Sequence, residues 1–276
     1  MTLVLNGRET TDKVMEEVAA EVEALKARGV TPGLALVITG DDKYSARYVK
    51  LKKKRAEKVG IYAEFHHLEQ TTDEELVALI NRLNEDPKIH GIMVQLPLAE
   101  GLSELKTVDA IAPEKDVDGL SPSTLGKILM GEETYPPAGV EAIMELFRRY
   151  GLSPENKHWV VVGSSNFLSK PLAAYLMNMK VRVTRAGEKC PHVPELLKTA
   201  DVISTEIQRK HFVTADMVKP GVIVIDNGNT YEGKKVYGDV SPEALEKASA
   251  YTPVPGGTGP MLIAMLLKAT VKAASN

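Results

Sequence analysis

Apolar positions in the first half of the chain alternate between helical spacing and short unbroken runs. Val14, Val18, Val22 and Leu25 lie three or four residues apart, as they would on one face of a helix. The elements predicted in this way are a helix over residues 10–28, a strand over 34–38, a helix over 45–59, a strand over 61–67, a helix over 74–84 and a strand over 90–96. This alternation favours an α/β domain with a mainly parallel sheet, whose sites lie at the carboxyl ends of the strands.

The second half repeats the alternation after a break at residues 134–138, T-Y-P-P-A, which cannot be regular structure. The predicted elements are a helix over residues 139–150, a strand over 158–163, a helix over about 170–179, and strands over 181–184, 202–205 and 222–226. This is the layout of a Rossmann domain. A final helix over residues 260–272 is apolar on one side and is expected to return to the first domain. We therefore predict one domain of residues 1–138 with 255–276, and a Rossmann domain of residues 139–254.

Charge and composition exclude several classes of protein. The formal net charge is -3, from 34 basic and 37 acidic residues, so no global field would attract nucleic acid or an anionic membrane. No apolar run approaches the roughly 20 residues of a spanning helix, and the N-terminus does not resemble a signal peptide, so we expect a cytoplasmic protein. The single cysteine, Cys190, excludes an internal disulfide and a multi-cysteine zinc site, and an incidental thiol is favoured over a nucleophile.

Two polar features of the first domain are candidates for chemistry. Gln95 interrupts the apolar run of residues 92–98, I-M-V-Q-L-P-L, at a predicted strand end, where it faces a ligand or satisfies a backbone group. Tyr48 and Lys52 are spaced i, i+4, so on a helix their side chains are neighbours. From spacing alone, the favoured alternative is that Lys52 belongs to one solvated basic face with the other basic residues of positions 50–58.

Two further segments stand out by their composition. Asp116 and Asp118 flank Val117 and would point the same way in an extended segment. Because no histidine or third carboxylate lies at ligand spacing, we expect no metal site. Residues 253–261, P-V-P-G-G-T-G-P-M, contain three glycines and three prolines, so their backbone is rigid yet able to approach a flat ring closely. A purely structural loop is the alternative for this segment.

These segments together resemble the methylenetetrahydrofolate dehydrogenase/methenyltetrahydrofolate cyclohydrolase family. The Tyr48–Lys52 pair, V-Q-L-P, D-V-D-G and the C-terminal P-V-P-G-G segment match its motifs in register. The resemblance implies that Lys52 is the general acid/base, that Gln95 positions it, that Tyr48 stacks on the folate and that Asp118 binds the pteridine. The catalytic residues implied are Tyr48, Lys52, Gln95 and Asp118, and the substrate-binding residues are Tyr48, Asp118, Pro255, Gly256 and Gly257.

The resemblance is looser in the nucleotide half. Residues 163–171, G-S-S-N-F-L-S-K-P, stand where the family has G-R-S-x-x-V-G-x-P, so Ser164 replaces an arginine used toward the NADP 2′-phosphate and Ser169 replaces a glycine. Arg185 follows the second strand of this domain and favours NADP, whereas Glu188 would suit NAD; we expect NADP. The residues expected to bind it are Gly163, Ser164, Ser165, Asn166, Arg185, Lys189 and Asn229.

The activity implied by the resemblance is bifunctional. It comprises oxidation of 5,10-methylenetetrahydrofolate with NADP and hydrolysis of the methenyl product to 10-formyltetrahydrofolate, in a homodimer with no nucleic acid or membrane partner. Departures such as Gln208-Arg209-Lys210, in place of a glycine turn, leave two alternatives open. One is a cyclohydrolase that has lost hydride transfer, and the other is a non-catalytic folate-binding protein.

Overall fold

Helices and strands alternate along the chain in the computed structural model, which describes residues 2–276. Up to residue 149 they are β1 (Leu3–Val4), α1 (Gly7–Ala27), β2 (Gly33–Thr39), α2 (Lys43–Lys58), β3 (Tyr62–Leu68), α3 (Asp73–Glu85), β4 (Gly91–Val94), α4 (Glu104–Asp109), α5 (Pro122–Met130) and α6 (Ala138–Arg149). They continue with β5 (His158–Val162), α7 (Ser169–Met177), β6 (Arg182–Ala186), α8 (Val193–Thr199), β7 (Val202–Thr205), a 3-10 turn (Ala215–Met217), β8 (Ile223–Asp226), β9 (Thr230–Glu232), β10 (Lys235–Tyr237), α9 (Pro242–Leu245), β11 (Ala250–Tyr251) and α10 (Thr258–Ser275). The predicted α/β class is confirmed.

The chain forms two compact units, which we name by their main sheets. The three-stranded unit comprises Asp12–Lys127, Glu132–Ala138 and Ile263–Asn276. The six-stranded unit comprises the residues up to Thr11, Ile128–Gly131 and Gly139–Leu262. These limits differ from the predicted domains at both ends of the chain and at residues 128–131, which belong to the six-stranded unit. The start of the chain joins the six-stranded unit because β1 pairs with β11, and the C-terminal return begins at residue 263 instead of 255.

The three-stranded unit is built on a parallel sheet in the order β3-β2-β4. All seven residues of the central strand β2 are buried, as expected for a parallel strand covered on both faces. Helix α3 begins at a capping box, in which Thr72 and Glu75 exchange side-chain and backbone hydrogen bonds. Its buried residues Leu76 and Ile80 belong to the same core cluster as residues of β2 and β4. This packing fixes the carboxyl end of β4, which Gln95 directly follows.

The six-stranded unit contains a sheet in the order β1-β11-β8-β7-β5-β6, in which every strand pair is parallel. The chain runs from β5 to β6 on one side and then to β7 on the other side of β5. This reversal is the topological switch point of a doubly wound Rossmann-type sheet, where ligands bind at the carboxyl ends of the strands. Segments after β5 and β7 therefore meet at the expected ligand edge. Among residues 2–276, no helix is both long and apolar enough to cross a membrane.

Candidate active site

Lys52 is a buried lysine in a basic helix. Asp42 caps the amino end of helix α2, and its carboxylate accepts backbone N–H bonds of the first turn. The side chain of Lys52 is only 6% exposed, whereas Lys50 and Lys54 on the same helix are exposed. Burial lowers the pKa of Lys52 because it penalises the ammonium form, and the negative charge of Asp118 opposes that change. A uniformly solvated basic face is therefore wrong for Lys52, whose pKa is lowered by burial.

Gln95 holds the amine of Lys52. The Nζ atom donates to Gln95 Oε1 at 3.0 Å and lies 3.6 Å from Met93 Sδ. The amide nitrogen of Gln95 donates to the carbonyl of Leu96 at 2.7 Å. Because only the amide nitrogen can donate to a carbonyl, the amide oxygen must face the lysine. Met93 was not anticipated, although it lies two positions before Gln95 and so on the same side of an extended segment.

Tyr48 and Asp118 complete the cluster around the amine. Lys52 Nζ lies 4.7 Å from the centroid of the Tyr48 ring. Burial raises the pKa of Tyr48, and the charge of Asp118 raises it further, so the phenol remains protonated. Burial also raises the pKa of Asp118, while the positive charge of Lys52 lowers it. The structure thus brings together the four predicted residues of this unit.

The two aspartates of D-V-D-G have different surroundings. Asp116 is fully buried, and its carboxylate accepts backbone N–H bonds from Gly119 (3.1 Å), Leu120 (3.2 Å) and Ser121 (2.9 Å) and a hydroxyl bond from Thr124 (2.6 Å). Asp116 therefore fixes the turn that follows Asp118. Gly119 in this turn has φ +70, and a Cβ there would lie 2.4 Å from the carbonyl oxygen of Tyr135. The described part of the chain contains no group of three acidic, histidine or cysteine residues able to hold a metal ion.

A glycine turn follows β5 in the six-stranded unit. Gly163 has φ +153, and a Cβ there would lie 2.1 Å from Ser169 Oγ, so only glycine fits without displacement. Ser165 Oγ accepts the backbone N–H groups of Leu168 (3.1 Å) and Ser169 (3.2 Å) at the start of α7. The hydroxyls of Ser165 and Ser169 both donate to Glu206 Oε2, each at 2.5 Å. Sequence reasoning missed Glu206, although its position directly after the predicted strand of residues 202–205 was a usable signal.

The end of β6 and the residues after it form a second polar group; Arg185, which was predicted to follow this strand, lies within it and pairs with Val161. Ser164 Oγ donates to Glu188 Oε2 at 2.6 Å, and this hydrogen bond is the main cause that lowers the pKa of Glu188. The charges of Lys189 and Arg185 lower that pKa further, so both cations lie near the carboxylate. The exposed guanidinium of Arg185 donates through Nη1 to the carbonyl of Gly163 at 2.8 Å. Cationic and acidic groups therefore share the strand end where a ribose is expected.

The remaining predicted ligand-binding residues form hydrogen bonds or close contacts with other parts of the chain. Asn166 Oδ1 accepts from Lys170 Nζ at 2.7 Å, and the backbone N–H of the exposed Asn229 donates to the side chain of Gln208 at 3.1 Å. The loop that holds Pro255, Gly256 and Gly257 belongs to the six-stranded unit and not to the unit of Lys52. It packs on the start of α1: Gly7 N donates to Gly256 O at 2.9 Å, and a Cβ on Gly7 would overlap the carbonyl oxygen of Gly257. The ligand roles of these residues remain predictions.

The donor set at the switch point suits a dinucleotide. Serine hydroxyls and the amino end of α7 are suitable partners for a pyrophosphate. The cations of Arg185, near the end of β6, and of Lys189, after it, would face a ribose or its phosphate. Two carboxylates, Glu188 and Glu206, lie among these donors and would repel phosphate groups.

Fold and site define an α/β protein with a Rossmann-type unit and a separate unit that carries a buried lysine hydrogen-bonded to a glutamine. The chain belongs to the tetrahydrofolate dehydrogenase/cyclohydrolase family. Residues 5–118 match its catalytic domain, and residues 137–276 match its NAD(P)-binding domain. The predicted family is confirmed.

Relatives match over nearly the whole chain. The bifunctional protein FolD of Bacillus pumilus is 44% identical over 98% of this chain and 97% of its own length. That of Moorella thermoacetica is 45% identical, with 98% of each chain covered. The solved structure of the Campylobacter jejuni bifunctional FolD methylenetetrahydrofolate dehydrogenase/cyclohydrolase has a TM-score of 0.97 at 38% identity, with 100% and 99% covered. The Trypanosoma brucei enzyme, solved with NADP and an inhibitor, has a TM-score of 0.92 at 32% identity, with 99% and 97% covered.

Proposed function

We propose that the protein oxidises 5,10-methylenetetrahydrofolate to the 5,10-methenyl form with NADP and hydrolyses that product to 10-formyltetrahydrofolate. The observation that carries the proposal is the buried amine of Lys52, bonded to Gln95 and adjacent to Tyr48 and Asp118. Family membership supports both reactions. The NADP bound by the trypanosomal relative supports the choice of cofactor.

Lys52 suits the hydrolytic step because burial favours its neutral form. A neutral amine that donates one N–H to Gln95 keeps a lone pair for a proton. In the proposed step, the oxygen of water bonds to the methenyl carbon while Lys52 Nζ takes the proton of that water. The bond from this carbon to N5 then breaks as the proton passes from Lys52 to N5, while the added hydroxyl loses its own proton to solvent and becomes the formyl carbonyl. The formyl group is left on N10, and the intermediate ammonium is stabilised by Gln95 and Asp118.

Tyr48 and Asp118 would bind the substrate. The half-buried ring of Tyr48 offers an apolar face to the flat folate ring. The carboxylate of Asp118 can accept hydrogen bonds from the exocyclic amine and ring N–H of the pteridine. Burial raises the pKa of Asp118, and the positive charge of Lys52 opposes that rise when the amine is protonated. The same two groups therefore bind the folate and surround the acid/base.

NADP, when bound, would accept the hydride in the first reaction. The residues that would hold it are Gly163, Ser164, Ser165, Asn166, Ser169, Arg185, Lys189 and Asn229. The carboxylates of Glu188 and Glu206 favour a second candidate, a cyclohydrolase without hydride transfer, because they oppose phosphate binding. The two candidates differ only in whether the protein also transfers a hydride to a nucleotide cofactor.

Two assays on the same preparation separate the possibilities. Formation of reduced nicotinamide from 5,10-methylenetetrahydrofolate and NADP measures the dehydrogenase. Loss of methenyltetrahydrofolate absorbance without nucleotide measures the cyclohydrolase. Both activities are expected. Hydrolysis alone would establish the second candidate, and folate binding without either activity would leave a binding protein.

The proposal includes a homodimer, suggested by the family resemblance, and a cytoplasmic location, suggested by the sequence features described above. Analytical ultracentrifugation would test the dimer. Fractionation of the source cells would test the location.

A further inference from the structure

Glu206 places a carboxylate at the amino end of α7. It directly follows β7, which is the neighbour of β5 in the sheet. Its backbone N–H donates to the carbonyl of Val162 at 2.8 Å, which fixes residue 206 against the end of β5. The half-buried side chain then accepts the hydroxyls of Ser165 and Ser169 on one oxygen. A negative charge thus lies where the turn and helix would otherwise receive an anionic ligand.

We propose that Glu206 is an internal anion that competes with the cofactor's pyrophosphate for the hydroxyls of Ser165 and Ser169, and so sets the affinity for the dinucleotide. This inference rests on the dinucleotide binding of the proposed function. Each serine has a single O–H to donate, so neither hydroxyl can serve the carboxylate and a phosphate oxygen together. Binding therefore requires the side chain of Glu206 to turn away from both serines.

The amino end of α7 would attract the pyrophosphate, but its hydrogen-bond donors are partly occupied. A helix amino end attracts anions through its free N–H groups and its dipole. Here Ser165 Oγ already accepts two of those N–H groups, and its own hydrogen is committed to Glu206. The carboxylate also neutralises part of the positive potential and repels a charged pyrophosphate. Removing the charge of Glu206 should restore the attraction, and removing its side chain should also release the hydroxyl donors.

The proposed effect is common to both nicotinamide cofactors, because NAD and NADP share the pyrophosphate. Glu188 should act differently. It follows β6, accepts a hydrogen bond from Ser164 and lies on the side of the site where the ribose is expected. Glu206 should therefore limit affinity without discriminating between cofactors. ADP-ribose, which has the pyrophosphate but no nicotinamide and no 2′-phosphate, is a suitable probe.

Titration calorimetry on the full chain tests whether Glu206 competes with the pyrophosphate. The proteins compared are wild type, Glu206→Gln, Glu206→Ala and the control Glu246→Gln, each titrated with NADP, NAD and ADP-ribose. Glu246 is exposed at the end of α9, so Glu246→Gln removes the same charge elsewhere in the six-stranded unit. Thermal melts of each protein establish that it is folded. We expect both Glu206 variants to bind all three ligands at least about tenfold more tightly, with the control unchanged.

The results that would overturn this inference differ from those that would overturn the proposed function. Equal or weaker binding by Glu206→Gln would overturn the inference and make Glu206 a support of the turn. A gain confined to NADP would also overturn it, because the 2′-phosphate would then be the opposed group. If none of the folded proteins binds any ligand, both the inference and the dehydrogenase activity fail. Tight binding by the variants with no wild-type dehydrogenase activity would support the inference and leave hydrolysis as the natural function.

Discussion

The amine of Lys52 lies 3.0 Å from the amide oxygen of Gln95, and 43 positions of sequence separate the two residues. The contact depends on α2 and β4 both packing on β2, so it is a product of the fold and not of local spacing. Burial removes water from the amine and its hydrogen-bond acceptor Gln95 is uncharged, so burial outweighs the opposing negative charge of Asp118. This combination favours the neutral base, and it leads directly to two predictions.

Lys52→Met keeps the length and apolar stem of the side chain but removes the ionisable amine. We expect cyclohydrolase activity to fall by roughly a hundredfold or more, as for loss of a general acid/base. Folate binding should largely survive, because Tyr48 and Asp118 remain. Turnover of methenyltetrahydrofolate and folate affinity are measured beside Lys54→Met, which alters an exposed lysine of the same helix. Near-normal hydrolysis by Lys52→Met would remove Lys52 from the mechanism.

Gln95→Glu places a negative charge beside the amine with little change of shape. An opposite charge at this distance raises a lysine pKa by about one unit or more. Hydrolysis needs the neutral amine, so the rise of rate with pH should move to higher pH by a similar amount. The pH profile of Gln70→Glu, which adds the same charge at an exposed position, should match wild type. An unmoved profile for Gln95→Glu would mean that Gln95 does not tune Lys52.

Asp118→Ala removes the carboxylate that we place against the pteridine. Loss of a charge-assisted hydrogen bond should cost on the order of 2 kcal/mol of folate affinity. Nucleotide affinity should change little. Folate titrations of Asp118→Ala are compared with those of Asp109→Ala, which alters an exposed aspartate of the same unit. If folate affinity is retained, Asp118 supports the loop, as Asp116 does.

Long periodic segments predicted the fold well. Every helix and strand predicted from spacing is present, with ends that differ by at most three residues. The strands β1, β9, β10 and β11 were missed because two or three residues are too few to show alternation. The same shortness concealed that the first residues of the chain belong to the six-stranded sheet, since that pairing depends on a strand about 250 positions away.

The site residues could be predicted from the sequence where they lie in motifs of the family. Tyr48, Lys52, Gln95 and Asp118 were found through the family resemblance, and the structure brings them together. Glu206 was missed because its importance depends on β7 lying next to β5, which the order of elements along the chain does not reveal. Asp116 and Asp118 appear equivalent in sequence, and only burial and the N–H groups of the following turn distinguish them.

Arg185→Ala tests whether a guanidinium near the end of β6 recognises the NADP 2′-phosphate. Arg185 uses one N–H group on the carbonyl of Gly163 and keeps others for a ligand. The variant should weaken NADP far more than NAD, because a 2′-hydroxyl gains much less from a guanidinium. Dissociation constants for both cofactors are compared with those of Arg182→Ala, an exposed arginine earlier in β6. Equal losses, or a wild-type preference for NAD, would instead assign the ribose contact to Glu188.

Asp226 should make the stability of the six-stranded unit depend on pH. Burial raises its pKa from 3.8 to about 6, although its carboxylate accepts N–H bonds from Gly228, Asp239 and Val240. Between these two values the folded protein binds more protons at Asp226 than the unfolded chain does. Its contribution to the free energy of unfolding is therefore present below pH 3.8 and is lost as the pH rises through about 6. A shift of about two units corresponds to a change of about 3 kcal/mol.

The test compares wild type with Asp226→Asn, which cannot ionise. Its amide nitrogen would face a backbone N–H, so the variant should be less stable at every pH, but the loss should shrink as pH rises from about 4 to about 7. Trp159, the single tryptophan, lies in β5, so its fluorescence during denaturation reports on the unit that holds Asp226. Asp109→Asn, at an exposed site of the other unit, is the control. A loss that grows with pH would show that the three N–H donors outweigh burial and that Asp226 is stabilised as a carboxylate.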